Sequence, residues 1–204
     1  MLIVGLTGGI ASGKSLVTRV LRDLGAHIID ADKIVHDLLS SGEEACNEVI
    51  GHFGAGIGLP DGSVDRRILG DIIFNHPDER AWLNSCIHPR VFQAYQAQVH
   101  HLRERQPDAI VVMDAALLIE TGYHKKMDKL IVVYAKQQDQ VKRLMERDRF
   151  TLEQALARIS SQMPLDEKRN YADYVIDNTG NRESSEQQTR EVFEKLRQES
   201  GRPK

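Results

Sequence analysis

Eight consecutive residues, Gly8-Gly9-Ile10-Ala11-Ser12-Gly13-Lys14-Ser15, constrain this chain more than any other feature, because they satisfy G-x-x-x-x-G-K-[ST] in full. The apolar run Leu2 to Leu6 before them reads as a buried parallel strand. After them Val17, Val20, Leu21 and Leu24 recur on one helical face, with Gly25 placed to stop the helix. Strand, glycine-rich turn and helix in that order give the motif its structural context. Such a turn aims successive backbone N–H groups inward, and the helix adds its positive N-terminal end, so phosphate oxygens are the expected guest. Lys14 is expected to reach the β- and γ-phosphates of ATP, and the Ser15 hydroxyl to bind Mg²⁺.

A second strand, His27-Ile28-Ile29, ends in Asp30-Ala31-Asp32. From about 34 to 106 strand signals give way to amphipathic helical stretches, broken by the glycine-rich loop 54–62, as in a helical subdomain inserted into an α/β core. Strands return at Ala109 to Met113, Leu130 to Tyr134 and Tyr174 to Ile176. Helices are expected over Gln137 to Arg147, Thr151 to Gln162, and from about Glu183 into the tail. Five strands alternating with helices predict an α/β fold of the P-loop NTPase type: one domain over 1–204, its five-stranded parallel sheet covered by helices on both faces. Ligands of such sheets lie at the carboxyl ends of the strands.

Composition excludes rather than identifies. With 204 residues, 41% hydrophobic and 28% charged, the chain can bury a core, and its net charge of −3 gives no field suited to nucleic acid. No apolar run approaches the roughly 20 residues of a membrane span. Met1-Leu2-Ile3-Val4-Gly5 carries no basic leader, and Cys46 and Cys86 lack C-x-x-C spacing, so reduced thiols in a cytoplasmic protein, monomeric or weakly self-associating, are expected.

Three uses of a bound nucleotide compete. A guanine-nucleotide switch needs an N-K-x-D loop, and the chain has no Asn-Lys pair; Asp177-Asn178-Thr179-Gly180 spells D-x-x-G but reads as a turn. A motor or assembly ATPase carries paired acids after a hydrophobic strand, and Val111-Val112-Met113-Asp114 supplies one. Phosphorylation of a small acceptor remains. That chemistry needs a group to orient or deprotonate a hydroxyl, and cations to offset charge on the moving phosphoryl group. Asp30 and Asp32 follow the second strand, and either could instead cap the helix expected near Lys33. Arg143 and Arg147, four apart within a run that includes Lys142 and Arg149, share a helix face; they could form a solvated surface or a lid closing over ATP.

These residues, taken together, resemble the dephospho-CoA kinase family. The resemblance is carried by Val4-Gly5-Leu6-Thr7-Gly8-Gly9-Ile10 with Ser12-Gly13-Lys14-Ser15, by Asp30-Ala31-Asp32, and by His52-Phe53-Gly54 with Asp61-Gly62 and Asp65-Arg66. It continues through Ile87-His88-Pro89, Leu117-Leu118 with Glu120, then Arg143, Arg147-Asp148, Arg158-Ile159 and Gln162, and ends at Ala172-Asp173, Val175-Ile176 and Asn178. It implies transfer of the ATP γ-phosphoryl group to the ribose 3′-hydroxyl of dephospho-CoA, giving coenzyme A. Asp32, Lys14 and Arg147 would be catalytic. Gly8, Gly9, Ala11, Ser12, Gly13, Lys14, Ser15, Leu16, Arg143 and Arg147 would hold the nucleotide, the two arginines from a lid over 140–165. Asp32, His88 and Glu120 would meet the acceptor, with 34–106 binding its long CoA-type body. His88 could equally open a helix through its His-Pro pair, while Trp82 and Phe92 read as core. Leu16 and Ala116 depart from the family's usual residues. A shikimate-like or nucleoside monophosphate kinase is the alternative enzyme, and a nucleotide-dependent binding module the alternative outside enzymes.

Overall fold

The computed structural model describes residues 1–201. Five strands, β1 (Leu2–Gly8), β2 (His27–Asp30), β3 (Ile110–Asp114), β4 (Lys129–Tyr134) and β5 (Tyr174–Asp177), form one sheet. All neighbours are parallel, in the order β2-β3-β1-β4-β5. The five strand expectations are met to within a residue or two. The expected tail of the last helix reaches residues 202–204, which lie outside the described residues.

The sheet belongs to one compact unit, Met1–Asp30 with Val99–Lys204. Every residue of β1 and β3 is buried, as strands covered on both faces require. One face contributes Leu2, Val4, Leu6, Ile110, Val112, Ile131 and Val133 to a core with Val17 and Leu21 of α1 (Lys14–Asp23) and Val192, Phe193 and Leu196 of the last helix, α9 (Arg182–Ser200). Burying such side chains stabilises by roughly 1.5–3 kcal/mol each, which is why alternate positions of adjacent strands are uniformly apolar. On the opposite face of β1, Gly5 leaves space that Leu130, Leu118 and Met127 fill; a Cβ there would come within 3.0 Å of all three.

The chain crosses from β3 on one side of β1 to β4 on the other, which places the phosphate loop at the change of direction where such sheets bind ligands.

The second unit, Ala31–Gln98, is helical: α2 (Ala31–Leu38), α3 (Glu44–Phe53), α4 (Arg66–Asn75) and most of α5 (Pro77–Arg105). Its core gathers Val49, Leu69, Leu83, Ile87 and Val91. Asp65 caps α4, its carboxylate accepting from the N–H groups of Arg67 (2.9 Å) and Ile68 (3.1 Å). Two expectations need correction here, and one boundary shifts. The helix after β2 begins at Ala31, two residues before Lys33, so Asp30 closes the strand and stands immediately before the helix, while Asp32 lies in the first helical turn. His88-Pro89 does not open a helix; Pro89 is inside α5, where it removes the N–H that would bond Ser85. The Arg90 guanidinium instead reinforces that turn, donating to the Cys86 carbonyl at 2.8 Å. Trp82 and Phe92 are half-buried rather than core. Trp82 stacks on His52 at 3.6 Å between ring centres, and His52 meets Glu79 at 2.6 Å, so the aromatic surface faces a polar partner. Cys46 and Cys86 are both buried and free.

Beyond β4, α6 (Gln137–Asp148) and α7 (Leu152–Ser160) form a helical pair joined through Arg149 in the left-handed conformation. A capping box at Thr151 and Gln154 starts α7. The short α8 (Leu165–Lys168) leads to β5, and α9 (Arg182–Ser200) follows.

Candidate active site at the phosphate loop

The loop between β1 and α1 is held mainly through its carbonyls, with the Ile10 and Ser12 N–H groups also bonded within the protein. Arg143 of α6 reaches the carbonyls of Ala11 and Ser12, each at 3.4 Å, and of Asn178 at 2.8 Å. Buried Asn178 donates from Nδ2 to the Ser12 carbonyl at 2.7 Å, while its Oδ1 accepts from the Ser185 hydroxyl at 2.8 Å. Gly13, at φ 93°, packs so closely on the Asn178 amide that a Cβ would overlap it. Only glycine fits there, on conformational and steric grounds alike. Ala11 also takes a positive φ of 56°, strain placed within the loop itself. Ile10 is gripped by two amides: its N–H donates to Gln162 Oε1 at 2.8 Å, and its carbonyl accepts from Gln140 Nε2 at 2.6 Å.

Inside the loop Lys14, first residue of α1, forms an ion pair with Asp114. Asp114 ends β3 at 4% exposure, and its Oδ2 accepts from the Thr18 hydroxyl at 2.6 Å. A carboxylate this buried needs both partners. It also keeps the ammonium at the mouth of the loop. The single acid after the third strand, set aside in sequence as half of a motor motif, is thus a partner of the loop lysine.

Ser15 is exposed in the first turn of α1. Beside it a cavity of about 470 Å³ is lined by Ser15 and Leu16, by Arg143, and by Asn178 and Arg182 from the chain after β5. Arg19 lines it too, so three guanidinium groups make this a basic cleft, with Leu16 as its apolar side chain and Asn178 as its amide, a lining suited to an anionic nucleotide. The D-x-x-G stretch is a turn, Thr179 N–H bonding the Asp177 carboxylate at 2.8 Å, and its Asn178 serves the loop.

Arg147 does not share Arg143's surroundings. Its guanidinium pairs with Asp148 through two contacts of 2.9 and 2.8 Å, and that hydrogen-bonded carboxylate raises its pKa while Arg147 lowers that of Asp148. Arg143 and Arg147, like charges at i and i+4, thus have separate partners. Glu120 is engaged as well: it pairs with Lys168 at 2.9 Å and accepts from the Met163 N–H at 3.1 Å. Sequence reasoning missed Lys168, whose side chain is wholly buried and whose pKa is lowered, first by burial and further by the charge of Lys14, against the opposing pull of Glu120.

In the helical unit Asp32 is exposed, and half-buried His88 has its pKa lowered by burial.

A five-stranded parallel sheet whose first strand opens into a G-x-x-x-x-G-K-S loop, with an acid from the neighbouring strand on the loop lysine, defines the class of P-loop kinases. A shikimate kinase from Acinetobacter baumannii, solved with shikimate, shares that fold at a TM-score of 0.51 and 15% identity, covering 99% of this chain and 96% of its own. Nearer relatives narrow the class. The dephospho-CoA kinase family model matches residues 2–184. A dephospho-CoA kinase from Carboxydothermus hydrogenoformans is 45% identical over 193 residues, 95% of this chain and 93% of that protein. The structure of a dephospho-CoA kinase from Campylobacter jejuni superposes with a TM-score of 0.70 at 28% identity, covering 97% of this chain and 98% of its own. The chain belongs to the dephospho-CoA kinase family.

Proposed function

We propose that this chain transfers the γ-phosphoryl group of ATP to the ribose 3′-hydroxyl of dephospho-CoA, giving coenzyme A and ADP. The observation that carries the reading is the phosphate loop with Lys14, Asp114 and Thr18 locked together at its mouth, in a chain matched along nearly its whole length by the family.

Phosphoryl transfer of this kind asks little covalent chemistry of the protein; positioning and charge stabilisation dominate. The N–H groups of the loop and the start of α1 cradle the β- and γ-phosphates. Lys14, drawn from Asp114 toward the phosphates, offsets charge that builds on the γ-phosphoryl oxygens. The base and ribose occupy the cavity beside Leu16, Arg143 and Asn178. Arg143 acts chiefly by shaping the loop, and Arg147, near the end of α6 with its side chain 62% exposed, would exchange Asp148 for phosphate as the lid over 140–165 engages ATP.

The donors present suit Mg²⁺: a serine hydroxyl at the helix start and a carboxylate at a neighbouring strand end are hard oxygen ligands, and Mg²⁺ needs only one or two of them beside phosphate oxygens and water. When bound it neutralises charge on the β- and γ-phosphates. Ser15 would hold it. Asp32, first-turn acid of α2, would orient and deprotonate the acceptor hydroxyl, and the helical unit around His88 would hold the long acceptor. A cytoplasmic setting, with its ATP and its reducing conditions, suits two buried free thiols.

The test is coupled ADP release from MgATP with and without dephospho-CoA, with the product weighed by mass spectrometry. Acceptor-dependent release and a product heavier by one phosphoryl group are expected. Turnover with shikimate or nucleoside monophosphates in its place would move the chain to another acceptor.

A further inference from the structure

An ammonium with no exposed surface is costly, and a methionine or leucine would fill the same space without that desolvation. Lys168 nevertheless heads the fully buried side chains of the described residues by size. Its partners give the reason. Nζ donates to the Ala116 carbonyl at 2.6 Å and pairs with Glu120 Oε1 at 2.9 Å. The same Ala116 carbonyl accepts from the Thr7 hydroxyl at 3.0 Å, and the same Glu120 oxygen from the Met163 N–H at 3.1 Å. Thr7 lies in β1 just before the phosphate loop, Ala116 two residues past Asp114, and Met163 on the stretch that leads out of α7 toward α8. One cation therefore ties together the end of β1, the segment after the acid that holds Lys14, and the chain leaving the lid helices.

We propose that Lys168 is a positioning residue for phosphoryl transfer, fixing the Ala116 carbonyl and the Glu120 carboxylate so that the segment behind Asp114 and the exit of the lid hold one geometry. The inference rests on the kinase reading above. Lys168 does not touch the phosphates. It acts through Glu120 and Ala116 on the backbone that sets Asp114, and so on where Lys14 points. The Lys14 charge that helps lower the Lys168 pKa is a second sign that the two cations flank the same acidic segment.

The experiment is a double-mutant cycle of Lys168→Met, Glu120→Gln and the pair, with wild-type acceptor-dependent turnover measured first. Turnover is expressed per nucleotide-binding site, titrated with a non-hydrolysable ATP analogue, so that loss of folded protein does not count as loss of rate. Lys168→Met is expected to lower kcat per site by about 10- to 100-fold, the scale of a misplaced reacting group, with KM for ATP within about twofold. The double variant should be no slower than Lys168→Met, because the two residues act as one unit. A wild-type protein without acceptor-dependent turnover would remove the kinase reading itself. With wild type active, a Lys168→Met kcat per site within about twofold of wild type, or losses that multiply in the double variant, would overturn the inference.

Discussion

The two compact units treat polar groups in opposite ways. Thr7, Ser12, Thr18, Asp114, Gln140, Lys168, Asn178, Ser185 and Thr189, the buried polar and charged residues described, all belong to the sheet unit, and most of them touch the phosphate loop or its neighbours. The helical unit buries apolar side chains, two cysteines and the single phenol of Tyr95, and keeps Asp32 exposed and His88, His52 and Trp82 at the surface or half-buried. Burying polar groups costs free energy unless each is bonded, so a unit that does it repeatedly around one loop is built to hold charges in fixed places. The proposed function assigns the phosphates to the sheet unit and the acceptor to the helical unit, and the contrast gives that proposal two regions to test separately.

Mutations can break or sharpen that contrast. The largest effect is expected at Asp32: Asp32→Asn should lower acceptor-dependent transfer about a thousandfold while ATP affinity, read by equilibrium titration, stays within about twofold. Retained transfer would take the general base out of the helical unit. Lys14→Ala should lower turnover by about a hundredfold or more and cost about 3 kcal/mol of stability, since Asp114 at 6% side-chain exposure loses its charge partner. In Lys14→Ala/Asp114→Ala, chemical denaturation should show part of the stability restored with no gain in activity.

Paired glycines compare the units directly. Gly13 and Gly42 both have positive φ, but a Cβ at Gly13 overlaps Asn178, whereas nothing lies within 4 Å of one at Gly42. Gly42→Ala should therefore cost about 1 kcal/mol, and Gly13→Ala about 2 kcal/mol or more together with nucleotide affinity, both read from denaturation midpoints and ATP titration.

His88 gives the helical unit a pH signature. Burial holds its folded pKa below the usual 6.5, so between that lowered value and 6.5 the unfolded chain binds more protons than the folded one. Its contribution to stability is present above pH 6.5 and is lost as pH falls through this window, by at most about 1.4 kcal/mol per pH unit. His88→Asn should flatten that part of a urea-midpoint profile. The smallest effect belongs to Thr151→Ala, which removes the capping box of α7 at about 1 kcal/mol and should speed hydrogen exchange in α7 alone.

What was legible in the sequence follows the same divide. Fully buried parallel strands read as unbroken apolar runs, so β1, β3 and β4 stand out, and the loop motif names its own contacts. The helical unit was readable as helix but not in detail. A proline such as Pro89 marks a helix start by propensity, and only tertiary packing reveals that α5 continues through it. Lys168 lies in Leu165-Asp166-Glu167-Lys168-Arg169, which reads as an ordinary solvated run; nothing in its spacing discloses an ammonium held by Ala116 and Glu120 from some 50 residues away. Asp114 did carry a signal, an acid closing a hydrophobic strand, but its pairing with Lys14 needed the register that sets β3 beside β1.

Phosphorus NMR of the product formed from dephospho-CoA and MgATP tests the proposed chemistry most directly. A new phosphate monoester coupled to the ribose H3′ proton, formed in step with ADP, is the expected result. Release of inorganic phosphate with the acceptor unchanged, or a monoester at any other hydroxyl, would contradict it.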